Sequence, residues 1–170
     1  MPRMRCGLLI LLLLTPWPLW AKNRKLEGFV LNPAAFRKIH SFCVDTHNLP
    51  PDQVRVIDRF VFQESKPEGL LTRLPWHRRA TCQDADLDAI VRLEFPLDPP
   101  VFLRPDHVEG VLLLFRPGSP SPIYETPAVT VPGHPQRSDD DPFDVKLIAP
   151  LLEYDAAGSA LRILIHDWHR

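Results

Sequence analysis

Apolar and polar positions alternate most regularly between Leu87 and Phe95. Every odd-numbered residue of this stretch is apolar, whereas Asp88, Arg92 and Glu94 lie on the opposite side of an extended chain. The alternation predicts a β-strand with one buried side and one solvent-facing side.

Two further runs of β-prone residues, 108–116 and 123–131, are joined by the proline-rich segment 117–122. Because this connection is too short for a helical crossover, the runs predict an antiparallel hairpin. An exposed edge of this hairpin would be a place for a partner protein to add a strand. An earlier run, 41–46, predicts another strand that ends in the turn-forming cluster 48–52.

Two segments leave the choice between helix and strand open. In residues 54–62 the apolar spacing fits one helical face, and the alternative is a strand whose alternation breaks at Asp58. In residues 161–168 the spacing fits a helix capped by Asp155, and the alternative is a turn at 155–158 followed by a strand. The helix is favoured in both segments.

A third, short helix is predicted to begin at Ser65 and to stop at Pro75. Ser65 can accept hydrogen bonds from the first turn, Pro67 needs no donor of its own there, and Glu68 can reach back to the cap. The sequence therefore predicts an α+β fold, with an antiparallel sheet of about four or five strands. The helices are expected on the face that carries alternate apolar residues of 87–95.

The first 21 residues have the pattern of a secretory signal peptide. Arg3 and Arg5 precede a seven-residue apolar run, and Ala21 comes directly before a polar stretch. An uncleaved membrane anchor is the alternative, but Pro16 and Pro18 interrupt the run before the roughly 20 apolar residues that a span needs. The predicted organisation is a signal peptide over 1–21, an N-terminal extension over 22–39 and one α+β domain over 40–170.

Charge and composition exclude some classes of partner. The chain has 20 basic and 21 acidic residues, and the loss of Arg3 and Arg5 with the leader makes it mildly acidic. Nucleic-acid binding is not expected, because phosphate recognition needs clustered, uncompensated cations. The 20 prolines against seven glycines predict stiff surface loops at 96–106 and 132–142, and the acidic run 138–141 is interpreted as a solvated loop tip.

Two cysteines remain once Cys6 is removed with the leader, namely Cys43 and Cys82. In an oxidising compartment they are predicted to form a disulfide. Closing a loop of about 40 residues would stabilise the fold by on the order of 4 kcal/mol. A pair of metal ligands is the alternative, which the lack of a Cys-x-x-Cys motif and of histidines at zinc-finger spacing disfavours.

The common hydrolase, phosphate-loop and zinc-protease motifs are absent from the sequence. Four groups contain residue types that could support chemistry, and each is interpreted as structural or solvent-facing. No catalytic, cofactor-binding or metal-ligating residue is therefore assigned. The groups are Asp45 with His47; Asp84, Asp86 and Asp88, whose like charges could raise one pKa; Trp76 beside His77, Arg78 and Arg79; and His166 and His169 beside Asp167.

The order of the predicted elements over 41–168 resembles that of small exported bacterial α/β domains. In this order a strand with Val44-Asp45 and a helix precede an alternating strand after Ala85-Asp86, a hairpin and a last amphipathic helix after Ala156-Ala157. These domains include envelope lipoprotein domains of unknown function and, more distantly, the amino-terminal domain of TolB and the penicillin-binding protein activators. Cys6 precedes the apolar run instead of following it, which departs from the lipoprotein pattern. The resemblance implies protein–protein or envelope-assembly work without catalysis.

The sequence thus predicts an exported, periplasmic or secreted, binding module that contacts another envelope or extracellular protein. It predicts no cofactor, and no stable membrane span after cleavage. A small extracytoplasmic hydrolase or metal-binding protein that uses histidines and aspartates of the loops is the alternative.

Overall fold

The computed structural model describes residues 26–47, 49–95, 107–132 and 142–170. The predicted signal peptide, the loop 96–106 and the acidic run 138–141 lie outside these residues. The strands are β1 (Phe29–Val30), β2 (Ser41–Asp45), β3 (His77–Arg78), β4 (Ala89–Glu94), β5 (His107–Phe115), β6 (Pro122–Glu125) and β7 (Val129–Pro132). The helices are α1 (Pro33–Phe36), α2 (Pro51–Glu64) and α3 (Pro142–Trp168), with a 3₁₀ turn at Leu70–Arg73.

The α+β class is confirmed, but the all-antiparallel sheet of four or five strands is wrong. The sheet is mixed and has seven strands in the order β1-β6-β5-β4-β2-β3, with β7 also pairing with β5. Strand β2 runs parallel to both β4 and β3, whereas the other pairs are antiparallel. The cause is the long connection through α2, because a helical crossover returns the chain to the sheet in the same direction.

The predicted strand and hairpin are both confirmed. In β4, Ala89, Val91 and Leu93 are buried and alternate with more exposed residues. The hairpin pairs Leu113 with Glu125 and Gly110 with Val129. Between these two pairs, the three residues 126–128 of the second arm face the two residues 111–112 of β5. The long second arm therefore divides at a bulge into β6 and β7.

Thr126 satisfies the backbone at this bulge. Its Oγ1 accepts the Leu112 N–H at 2.9 Å, and its own N–H donates to the Leu112 carbonyl at 2.9 Å. Thr126 is 1% exposed, so no solvent replaces these bonds. The side chain takes the place of a ladder acceptor that the bulge removes.

Both helices favoured for the open segments are confirmed. Helix α2 begins at Pro51, where proline lacks only an N–H that would be unpaired, and covers 54–62. Helix α3 covers 161–168, but it begins at Pro142, so Asp155 lies inside it and the predicted cap is wrong. The predicted short helix after Ser65 is confirmed only as the 3₁₀ turn at Leu70–Arg73, which ends before Pro75. The predicted cap is wrong, because Ser65 ends α2 and donates its hydroxyl to the Val61 carbonyl at 2.6 Å.

Helix α3 lies between the sheet and α2, packing against β5 and β7 on one side and against α2 on another. Small residues permit this approach. Ala156 and Ala160 are fully buried, and a Cβ added to Gly110 of β5 would lie 2.9 Å from the Ala156 Cβ. Gly158 faces Phe60 of α2. A helix packed on two sides need not show one narrow apolar stripe.

Residues 26–39, which the sequence predicts as an extension ahead of the domain, pack onto the rest of the chain. Strand β1 pairs with β6, and Ile39 is 1% exposed. Phe36 of α1 is buried in an aromatic cluster with Tyr124, Trp76 and Trp168. The sheet therefore has an edge that is built from the N-terminal segment.

The disulfide between Cys43 and Cys82 is confirmed, with a Cα–Cα distance of 5.3 Å across a sequence separation of 39. It ties the centre of β2, where Cys43 is 1% exposed, to the segment after β3. None of the helices described here has the length and apolar character that a membrane span requires.

Candidate functional site

Asp167, predicted beside a possible histidine metal pair, is a buried structural carboxylate. Its side chain is 7% exposed. Its Oδ2 accepts the Gly28 N–H at 2.7 Å and the Tyr124 hydroxyl at 2.8 Å, and its Oδ1 lies 3.3 Å from His166 Nδ1. Burial, together with this carboxylate, raises the pKa of Tyr124. Asp167 thus fastens the N-terminal segment to the end of α3.

His169 is exposed, and it does not join Asp167 in this network. Among the described residues, no group of three or more histidines, cysteines, aspartates or glutamates is placed to hold a metal ion.

Asp45 is paired with a guanidinium and not with the imidazole of His47. Its Oδ2 accepts Arg92 Nη2 at 2.9 Å across β2 and β4, and its Oδ1 accepts the backbone N–H of His47 at 3.0 Å. Burial acts to raise the pKa of Asp45, but the His47 N–H and Arg92 outweigh it, so the pKa lies below its usual value. The carboxylate stays ionised and serves as a cross-strand ion pair.

Asp88 is likewise held by hydrogen bonds. Its Oδ2 accepts the backbone N–H groups of His40 and Ser41 at 2.9 and 3.0 Å, and the Ser41 hydroxyl at 3.0 Å. Burial acts to raise the pKa of Asp88, but these donors lower it by a larger amount, so the pKa lies below its usual value. The like-charge rise that the spacing of Asp86 and Asp88 suggested is therefore wrong for Asp88.

The interpretation of Trp76 as a core aromatic is confirmed. It is 5% exposed and makes edge contacts with Phe42 and Trp168, with ring centroids 6.0 and 4.9 Å apart. Its buried Nε1 has no hydrogen-bond partner within the described part of the chain. The neighbouring Arg78 and Arg79 are exposed at the opposite sheet edge from β1.

Exposed apolar side chains concentrate in the N-terminal segment, a feature that the sequence interpretation missed. Of the six large apolar side chains that are exposed among the described residues, four lie within 26–31. Leu26, Phe29, Val30 and Leu31 are 51%, 59%, 38% and 54% exposed, and we call them the N-terminal patch. The run Phe29-Val30-Leu31 is an apolar, β-prone signal that could have predicted the edge strand.

A groove with a volume of about 800 Å³ crosses the end of the sheet beside this patch, and we call it the end groove. It extends from Leu31 and α1, past the start of β6 and the end of β5, to the residues just before β4. Its lining includes the apolar residues Leu31, Ala34, Ala35, Leu87, Pro117, Pro122 and Ile123, and the polar or charged residues Asn32, Lys38, Asp88, Arg116, Ser119 and Ser121.

The hairpin turn forms one wall of the end groove and is locally well defined. The Ser119 N–H donates to the Arg116 carbonyl at 3.0 Å, and Gly118 takes a φ of 74°, which favours glycine. The Ser119 hydroxyl donates to the Ser121 carbonyl at 3.1 Å. Three prolines in this segment limit its conformations further.

A second groove, with a volume of about 750 Å³, lies on the other side of the N-terminal segment. Phe36 and Trp168 line it, and so do Glu27 and Arg170, which form an ion pair at 2.6 Å. We call it the aromatic groove. The N-terminal patch therefore contributes to both grooves, with Leu31 in the lining of the end groove and Val30 in the lining of the aromatic groove.

Comparisons with protein-family models, with curated proteins and with solved structures find no match to this chain. The resemblance in element order to exported envelope domains therefore stays a prediction.

Proposed function

We propose that this chain is an exported, non-catalytic binding module that holds a partner protein at the N-terminal patch and the adjoining end groove. The observation that carries the proposal is the concentration of exposed apolar side chains at 26–31, the segment that contains the edge strand β1. Single exposed apolar residues are common on protein surfaces, but several of them within six residues and beside grooves are typical of interaction sites.

The sheet edge supports a specific way of binding. Strand β1 has β6 on one side and no other strand among the described residues on the other side. A partner can therefore add a strand there, with its side chains reaching the patch. The sequence places such an edge in the hairpin. Strand β1 covers β6, so this part of the edge moves to the N-terminal segment, whereas β7 pairs only with β5 among the described strands.

The N-terminal segment is already ordered for this purpose. Gly28 donates to the buried Asp167, and the Leu31 and Asn32 N–H groups both donate to the Ile123 carbonyl at 2.9 and 3.0 Å. An edge held in place loses less conformational entropy when a partner binds, so more of the contact energy contributes to affinity.

Export is supported by two independent features. The leader pattern over 1–21 directs secretion, and the Cys43–Cys82 disulfide is the kind of bond that persists in oxidising compartments. The export test is fractionation of the native cells with thiol titration. We expect the mature form outside the cytoplasm with no free thiol, and cytoplasmic full-length chain with reduced cysteines would contradict export.

The binding site is tested by site-specific photocrosslinking in the native envelope. Phe29 and Phe62 are 59% and 67% exposed, and Phe62 lies on α2, outside the N-terminal patch and the end groove. Replacing either phenylalanine by photoreactive benzoylphenylalanine therefore gives a matched pair of probes. We expect a discrete adduct from position 29 and none from position 62. No adduct from either position, or equal adducts from both, would refute the assigned surface.

A further inference from the structure

The end groove is locally cationic, although the whole chain carries a formal net charge of -1. Lys38, in the turn after α1, and Arg116, at the hairpin turn, are both exposed and line the same groove. Neither forms a salt bridge with an acidic residue in the part of the chain that the structure describes. The positive charge is thus a property of this groove and not of the chain as a whole.

The one carboxylate in the lining of this groove, Asp88, is already engaged. It accepts three hydrogen bonds from His40 and Ser41, so it is oriented toward the start of β2. In the aromatic groove, by contrast, Arg170 is paired with Glu27. The aromatic groove also contains the exposed Arg37, but its two arginines are matched by two carboxylates, Glu27 and Asp167. The end groove has two cations against one carboxylate, so it has the larger excess of positive charge.

The shape of the end groove fits a short stretch of extended chain. Its lining spans the ends of β1, β6, β5 and β4. Four strands at their usual spacing cover about 14 Å, which is the length of about four extended residues. The walls offer apolar surface at Leu31 and Ile123 and hydroxyl groups at Ser119 and Ser121.

On the basis of the proposed function, we propose that the partner presents an acidic, extended peptide segment to this groove. One or two carboxylates of the segment contact Lys38 and Arg116, and an apolar side chain between them packs on Leu31. A second copy of this chain fits less well, because self-association at this surface would gather the same cations from both copies. A lipid bilayer fits less well too, because its flat surface cannot enter a concave groove.

The test uses the mature, disulfide-bonded protein and fluorescein-labelled nonapeptides in which Glu, Lys or Gln alternates with Val. Binding is followed by fluorescence anisotropy at low and at high salt. We expect the Glu peptide to bind at least tenfold more tightly than the Gln peptide, with a preference that falls as salt rises. The Lys peptide is expected not to bind.

Charge reversal identifies the groove. The double variant Lys38→Glu with Arg116→Glu is expected to lose at least tenfold in affinity for the Glu peptide and to gain affinity for the Lys peptide. Arg78→Glu with Arg79→Glu is the matched control, because it makes the same change in net charge at the opposite sheet edge. All four positions are exposed, so unchanged thermal unfolding is expected for both variants.

Three results would overturn the inference: no preference among the peptides, equal loss in both double variants, or no binding of the Glu peptide. Sedimentation with phosphatidylcholine vesicles that contain phosphatidylglycerol is the membrane arm. Vesicle binding that depends on Lys38 and Arg116, without peptide binding, would assign the groove to a membrane surface instead. If crosslinking from position 29 persists while the Glu peptide fails to bind, the proposed function stands and only the acidic partner is refuted.

Discussion

Removal of the Tyr124 hydroxyl is expected both to destabilise the fold and to loosen the N-terminal segment. Tyr124 is fully buried, and its hydroxyl donates to Asp167, which also holds the Gly28 N–H. Tyr124→Phe therefore leaves a buried carboxylate with one partner fewer. Hydrogen bonds to charged groups contribute about 1.5–3 kcal/mol. A loss of this size corresponds to a fall in Tm of about 3–12 °C for a chain of this length.

The assay combines urea unfolding with hydrogen exchange at individual amides. Exchange at Gly28 and Leu31 is expected to accelerate more than exchange at core amides, because the segment loses part of its anchor. Tyr154→Phe is the matched variant, since Tyr154 donates to Glu64 at 2.7 Å at a site where α3 meets α2. It should destabilise the protein without a selective effect on Gly28.

Two outcomes would refute this reasoning. The first is a stability of Tyr124→Phe within about 0.5 kcal/mol of the wild type, the usual effect of a surface substitution. The second is the same acceleration of Gly28 exchange in both tyrosine variants. If Gly28 exchange is accelerated selectively, photocrosslinking from position 29 should also weaken, because the patch is then less ordered.

Three other predictions concern the bulge, the disulfide and alkaline pH. Thr126→Val keeps the side-chain shape but leaves the Leu112 N–H without its acceptor. The free energy of unfolding, measured in urea, should fall by about 1–3 kcal/mol, and an unchanged midpoint would contradict the role of Thr126. Replacing both Cys43 and Cys82 by serine should lower the stability by about 2–5 kcal/mol in the same assay, and a stability equal to that of the oxidised protein would show that the bond is dispensable. Because Tyr124 has a raised pKa in the folded state, the unfolded chain releases this proton first, from about pH 10. Above that pH, this one group should therefore lower the free energy of unfolding by at most about 1.4 kcal/mol per pH unit. An equally steep fall in Tyr124→Phe would show that Tyr124 is not the cause.

Patterns along the sequence predicted the strands and turns that depend only on residues close together in the chain. The alternation over 87–95 predicts β4 because the period of a strand depends only on neighbouring residues. The short proline-rich connection predicts the hairpin of β5 with β6 and β7, since few residues can link two strands only when they are antiparallel. The pairing of Cys43 with Cys82 follows by elimination, because the other cysteine of the chain, Cys6, lies within the predicted leader.

Helix ends were predicted less well than helices. Asp155 has the residue type of a cap but lies inside α3, and Ser65 ends α2 instead of beginning a helix. In the second case Glu64 accepts the Leu70 N–H at 2.8 Å, so a side chain from the preceding helix holds the start of the 3₁₀ turn. Capping preferences amount to about 1 kcal/mol, which tertiary contacts readily exceed.

Only the tertiary structure decided which strands are neighbours and where the sheet ends. The parallel pairing of β2 with β4 depends on the path of the chain through α2, and the edge strand β1 depends on a contact with β6 that lies far along the chain. Asp167 acquires its role from Gly28 and Tyr124, which are 139 and 43 residues away in sequence. Periodicity along a chain shows which side of an element is apolar, whereas an exposed edge, a groove or a buried carboxylate exists only after distant segments have come together.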